Sequence, residues 1–307
     1  MRELTQEELK KVELEILKDV ARFCDKNDIR YYLGGGTLLG AVRHQGFIPW
    51  DDDIDISMPR PDYLKFLALY NQSTDEYKVD AIEINPQYWR TFAKVFDQRT
   101  WLQEDNIRGK KKGNAVFIDV FPIDGIPDSK WKQFLLYKEQ EFLNFLYHGS
   151  AWTFTKSHKY DDLAVRYSKL KMIIRTALKF IAVTLLRPLP TQKLIWLINL
   201  NAQRTSYEES KYIGAIVDCA HGAACERIEK KIFEPRMEFL FEGKYFLGPK
   251  GYDIYLKNLY GDYMVLPPMK NRVTHHDFKA FWKENIRNSK GTANNGYNEA
   301  KGNQSTC

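Results

Sequence analysis

Four aspartates in five positions, Asp51-Asp52-Asp53-Ile54-Asp55, carry the strongest chemical signal in this chain. Like charges this close repel one another, so such a group calls for a cation. A short strand with Ile54 and Ile56 on one face would set Asp51, Asp53 and Asp55 on the other, leaving Asp52 to bond the adjacent turn. Oxygen-only ligands favour Mg²⁺ or Mn²⁺ over zinc, and Mg²⁺ usually combines one or two protein carboxylates with substrate phosphates. A solvated acidic loop has no reason to alternate Asp with Ile.

Upstream lie Gly34, Gly35 and Gly36, and then Gly40. A turn without Cβ atoms lets backbone approach a phosphate, and the helix expected over Thr37 to His44 points its N-terminal amides the same way. Gly35, Gly36 and Thr37 are therefore candidate phosphate contacts, beside Asp53 and Asp55 as leading metal ligands and Asp51 as a third. Phosphoryl-transfer sites commonly gain a carboxylate from a second strand. Asp119, inside the apolar run Val116-Phe117-Ile118-Asp119-Val120-Phe121, is costly to bury unless it faces a metal or a cation. It completes the expected ligand set and is the candidate general base. Asp124, between Pro122 and Gly125, suits an Asx turn and ranks as a secondary candidate. Arg43 and His44 close the short helix where they can neutralise phosphate charge, and Lys94 on the strand through Phe92 and Phe96 is a further phosphate contact.

The elements that must position these residues are legible around them. Thr5 and Glu8 have capping-box spacing, and Leu9, Val12, Ile16, Val20 and Phe23 recur at helical intervals up to Asp25. A strand is expected over Ile29 to Leu33, then the glycine turn, the short helix and the acidic strand. Pro61 opens another helix. Further strands are expected near Ala81 to Ile84, Thr91 to Phe96 and Val116 to Phe121, with an exposed lysine-rich loop from Gln103 to Asn114. From Lys130 to about Leu200 the pattern is helical, with breaks at His148-Gly149 and Arg187-Pro188-Leu189-Pro190. Short strands and helices alternate from Tyr212 to Trp282. The resulting class is α/β, an α+β mixed sheet with an added helical region. It divides as 1–30 N-terminal helix, 31–130 catalytic core, 131–210 helical and basic region, 211–286 C-terminal part and 287–307 disordered tail.

The segment from Gly35 through Arg43 and Trp50 to Ile56 closely resembles the signature of the LicD family. Two more blocks fit it: Phe117 to Pro127, and Tyr260-Gly261-Asp262-Tyr263-Met264 with Arg272, His275 and His276. The resemblance implies a polymerase-β-like nucleotidyltransferase fold, to which strand, glycine turn, helix and acidic strand also point. It implies a phosphotransferase that takes phosphocholine, or a polyol phosphate, from a CDP-alcohol donor to a glycan or lipid-linked glycan acceptor. Trp50, Trp89, Trp101, Tyr260 and Tyr263 could cage a choline headgroup. The rival readings are a nucleotidyltransferase acting on a small molecule, a glycosyltransferase using an Asp-x-Asp metal site, and a non-catalytic membrane- or nucleic-acid-binding protein. The last leaves the aspartates without a task, so no nucleic acid is expected as partner.

Composition sets the remaining bounds. At 307 residues and 44% hydrophobic the chain can bury a proper core. Four scattered cysteines do not make a disulfide framework, and Cys219, His221 and Cys225 match no common zinc spacing. The polar, acidic start predicts a cytoplasmic protein. Its formal net charge of +6 is uneven: between Asp162 and Glu208 eight basic residues face no acid. Lys171, Arg175 and Lys179 form a basic stripe that predicts peripheral contact with an anionic membrane surface, the alternative being a core helix with a solvated face.

Overall fold

The computed structural model describes residues 1–104, 115–151, 184–218, 222, 224–269, 272 and 278–283. The class expected from the sequence is the one found: a mixed sheet with helices packed on it. Helix α1 (Gln6–Lys26) begins with the expected capping box, in which the Glu8 amide donates to Thr5 Oγ1 and the Thr5 amide to Glu8 Oε2. It buries Leu9, Val12, Ile16, Leu17 and Val20 at helical spacing.

Strand β2 (Tyr32–Leu33) leads into α2 (Gly35–His44), then β3 (Asp55–Pro59) and α3 (Arg60–Leu69). Strands β4 (Tyr77–Asp80), β5 (Ala93–Asp97), β6 (Thr100–Glu104) and β7 (Phe117–Ile126) follow. The central sheet runs β2-β3-β7-β5-β4, with β3 parallel to β7 and the other pairs antiparallel. Helices α4 (Lys130–Ala151) and α5 (Thr191–Ala202) come next, then β8 (Tyr212–Gly214), β9 (Ile228–Glu229) and α6 (Lys230–Phe233). The hairpin β10 (Arg236–Phe241) and β11 (Lys244–Pro249), helix α7 (Tyr252–Tyr260) and β12 (Phe278–Trp282) complete the described chain. β8 extends the central sheet from the far end of β7 and carries β9, and β12 lies between β1 (Arg2–Glu3) and β6.

Alternation along β7 separates two environments. Ile118 and Val120 join the main core with α1, α3, β3 and β5, whereas Phe121 packs with Phe92 into a second core closed by α4 and α5. Asp119 shares its face with Phe117 and Phe121.

Several boundaries differ from expectation for local reasons. Ala81 to Ile84 form a turn, because the Asp80 carboxylate accepts from the Ala81 amide and from Asn85 and so bends the chain. The acidic strand starts only at Asp55, and the strand before the glycines is two residues long. Helix α4 continues through His148-Gly149, where the bare glycine lets Leu186 pack against the helix. Residues 105–114, the stripe Lys171, Arg175 and Lys179, Cys219, His221, His275, His276 and the tail 287–307 lie outside the described residues.

Candidate active site

Three adjacent strands set the geometry. Asp55 on β3 lies opposite Asp119 on β7, and Asp119 lies opposite Lys94 on β5. Paired residues on neighbouring strands face the same side, so the three side chains form a row across the sheet. Lys94 Nζ is 2.7 Å from Asp119 Oδ1, both side chains are buried, and the ammonium also sits 3.2 Å from the centre of the Phe117 ring. Lys94 thus has a carboxylate for a partner. The charge of Asp119 is therefore met by that cation rather than left to an ion alone.

Asp51, Asp52 and Asp53 precede the strand, and the Asp51 amide donates to Ile48 O at 2.9 Å in a turn. Strand alternation therefore does not reach them. Instead of Asp52 pointing away, each of the three offers a carboxylate oxygen, and these oxygens lie within 4.8 Å of one another. Asp55 adjoins this group. Burial, followed by the charges of Asp53, Asp119 and Asp51, raises its carboxyl well above the usual range, and Lys94 offsets part of the effect.

The glycines prove to serve the carboxylates as well as any phosphate. A Cβ on Gly35 would lie 2.8 Å from Asp55 Oδ2, and one on Gly36 would lie 2.7 Å from Asp51 Oδ2. Gly35 also has φ +43°, where a side chain is strained. Both carboxylates therefore rest against the first turn of α2, where backbone amides and the helix dipole favour negative charge. Thr37 ties the helix to the strand by accepting from the Asp55 amide at 2.8 Å.

A cationic lip stands at the other end of α2. Arg43 Nη1 donates to Tyr263 O at 2.6 Å, and Arg272 lies 5.3 Å from the Trp50 ring centre while its Nε donates to Pro267 O. Burial and the nearby charge of Arg272 lower the Arg43 pKa, so the two guanidiniums are held together against their repulsion. His44 stacks edge-on to Trp50, and burial followed by Arg43 lowers its imidazole. Tyr260 closes the site: its hydroxyl lies 3.7 Å from the position a Gly35 Cβ would take, and burial and Asp55 raise its pKa.

Asp124 departs from expectation. It lies within β7 rather than in an Asx turn, and Arg60 grips it with two hydrogen bonds of 2.7 and 2.6 Å in a buried pair extended by Glu83 and Asn199. Its task is structural. Other residues escaped the sequence reading. Glu13 sits among the buried residues of α1, and burial followed by Asp53 and Asp52 pushes its carboxyl well up. A charged residue between Val12 and Ile16 on the apolar face was the available signal. Burial raises the Asp218 carboxyl, and the nearby charges of His148 and Arg90 offset part of the effect, a grouping that no spacing in the sequence announces.

The chemistry of this donor set suits a hard divalent cation: clustered oxygens, like charges in excess, and a cradle that tolerates no Cβ. The family model for the LicD/FKTN/FKRP nucleotidyltransferase domain matches residues 28–152, which include the acidic segment, Lys94 and Asp119. Over 285 residues the chain is 32% identical to the lipopolysaccharide cholinephosphotransferase LicD of Haemophilus influenzae, covering 92% of this chain and 99% of that protein. A shorter stretch of 49 residues is 43% identical to human ribitol 5-phosphate transferase FKRP, covering 15% of this chain and 10% of that protein. Another of 58 residues is 47% identical to the uncharacterized protein RT0683 of Rickettsia typhi, 19% of each chain. With one relative aligned along nearly its whole length and the family model spanning the carboxylate row, this chain belongs to the LicD family.

Proposed function

We propose that the protein is a divalent-metal-dependent phosphotransferase at the inner face of the membrane. It moves a phosphoalcohol, phosphocholine first among them, from a CDP-linked donor to a hydroxyl of a glycan or lipid-linked glycan. The observation that supports this best is the Asp55–Asp119–Lys94 row beside the carboxylates of Asp51, Asp52 and Asp53, in a chain related along its length to a cholinephosphotransferase.

Mg²⁺ or Mn²⁺ would be held by Asp51, Asp53, Asp55 and Asp119, with Asp52 completing the acidic group, and when bound would neutralise charge on the diphosphate and its leaving oxygen. Arg43 and Arg272 bind the donor's phosphates, whose charge relieves the repulsion between the two guanidiniums. The first turn of α2, at Gly35, Gly36 and Thr37, orients the same groups through its amides. The acceptor oxygen attacks the distal phosphorus, the bond from that phosphorus to the bridging oxygen breaks, and CMP departs with the bridging oxygen. Asp119 receives the acceptor's proton, with Lys94 beside it as counter-charge.

CDP-choline, CDP-ethanolamine, CDP-glycerol, CDP-ribitol, CTP and UDP-sugars offered separately, each with acceptor glycan, test this reading. CMP release from a CDP-alcohol is the expected result. Pyrophosphate from CTP would make the protein a nucleotidyltransferase, and UDP from a sugar nucleotide would make it a glycosyltransferase.

A further inference from the structure

Helix α4 is packed against expectation. It turns Gln133 and Gln140 inward, where Gln140 is 1% exposed and bonded to Ile198 O and Asn201, and it turns aromatics outward. Trp131 is 67% exposed and Phe142 61%, and Phe134, Leu135 and Phe145 are exposed beside them. Positions 131, 134, 135, 142 and 145 fall on one helical stripe, which Lys138, paired with Glu141, interrupts midway.

The neighbouring helix extends the face. On α5, Trp196 is 56% exposed, and Leu197 and Leu200 are exposed one turn around it. Phe142, Leu143, Leu197 and Leu200 line a groove of about 410 Å³ between the two helices. Exposed apolar surface of this extent marks an interaction site rather than ordinary surface.

The charges around the face select its occupant. Across 130–151 and 184–204, Lys130, Lys132, Lys138, Arg187, Lys193 and Arg204 stand against Glu139 and Glu141. Exposed tryptophans within an apolar face, with lysines beside them, match the boundary between acyl chains and anionic headgroups. Among the described residues no helix is long and apolar enough to cross a membrane. We propose that the outer face of α4 and α5 is a docking surface for an anionic lipid bilayer, into which Trp131, Phe142 and Trp196 insert. The two helices pack on the sheet face that carries Phe121 and Asp119, so docking sets that side of the sheet toward the lipid. This surface does not depend on which group the site transfers.

Flotation of the full chain with vesicles of phosphatidylcholine containing about 30% phosphatidylglycerol tests the proposal at low salt. Wild type floats, Trp131→Ser/Phe142→Ser/Trp196→Ser loses at least tenfold in vesicle affinity, and Lys130→Gln/Lys132→Gln/Lys193→Gln loses it selectively for the anionic vesicles. All three proteins release CMP from a soluble CDP-alcohol donor at equal rates, which separates failure of docking from failure of the proposed reaction. A measurement on wild type guards against misfolded variants: brominated lipids quench tryptophan emission, and Trp131→Phe and Trp196→Phe each reduce the quenched fraction. Failure of wild type to float, unchanged flotation of the aromatic variant, or absence of quenching overturns the proposal. So does a wild-type dimer that the aromatic substitutions dissolve, since a second copy would then be the occupant.

Discussion

Lys94 Nζ and Asp119 Oδ1 lie 2.7 Å apart between neighbouring strands, where almost no solvent reaches them. An ion pair so placed is weak evidence for stability, yet removing one partner leaves the other charge stranded. Lys94→Met is therefore expected to destabilise the fold by about 3 kcal/mol or more, and to abolish CMP release. Lys94→Met/Asp119→Leu should recover most of the stability, as followed by urea unfolding, and none of the turnover. Full activity of Lys94→Met would remove the pair from the site.

The acidic cluster makes the opposite forecast. Asp53→Asn and Asp55→Asn each remove a charge from a group that repels itself, so both should fold and both should lack turnover. The sign for Asp55 follows from its raised pKa: a carboxyl that prefers its proton when folded subtracts stability once the pH passes the unfolded value and the charge must form. Asp55→Asn should thus be more stable than wild type at pH 7, with the gap closing toward pH 4. Mn²⁺ should raise the melting temperature of wild type and leave that of Asp53→Asn nearly unmoved.

Arg60 and Asp124 supply a contrast to the aspartates of the proposed site. Asp124→Asn breaks a buried, two-pronged pair and should lower stability by roughly 3–5 kcal/mol, while activity per folded molecule stays within a few-fold of wild type. Asp119→Asn should lose on the order of a hundredfold in kcat, the scale set by a general base. Equal losses in kcat for Asp119→Asn and Asp124→Asn would contradict the separation of site from scaffold.

Glu226 gives the fold a pH dependence of its own. Burial, followed by the charge of Asp218, pushes its carboxyl up to about 8, so it is neutral at pH 7 in the folded protein and ionised when unfolded. Stability should therefore fall as pH rises from the ordinary glutamate value to about 8 and level off above it. Denaturant midpoints for Glu226→Gln across the same range should lack that slope.

Much of this site was legible because the chemistry fell on consecutive or alternating residues. The capping box at Thr5, the glycine turn and the lone charge of Asp119 all announced themselves through local patterns that the fold kept. What failed was geometry set at a distance. Strand alternation was extended to Asp51 and Asp52, but the turn anchored on Ile48 gathers Asp52 with its neighbours instead. Asp124 had the neighbours of a turn residue, but pairing of β7 with β8 opposite Gly214 holds it in a strand, and Arg60, sixty-four positions away, meets its charge. Asp218, His148 and Arg90 converge from separate elements, so no window of sequence could group them.

The row from Asp55 through Asp119 to Lys94 also governs which insertions and deletions the protein can absorb. Its spacing is fixed by the roughly 4.8 Å between neighbouring strands, not by the lengths of the connections that join them. Loops between β5 and β7 can lengthen or shorten while the three side chains keep their places. One residue added within β7 ahead of Asp119 would instead bring Ile118 opposite Asp55 or turn the aspartate into the apolar core. Divergence among relatives should therefore concentrate in connections and in the helical layer, with the three strands conserved in length.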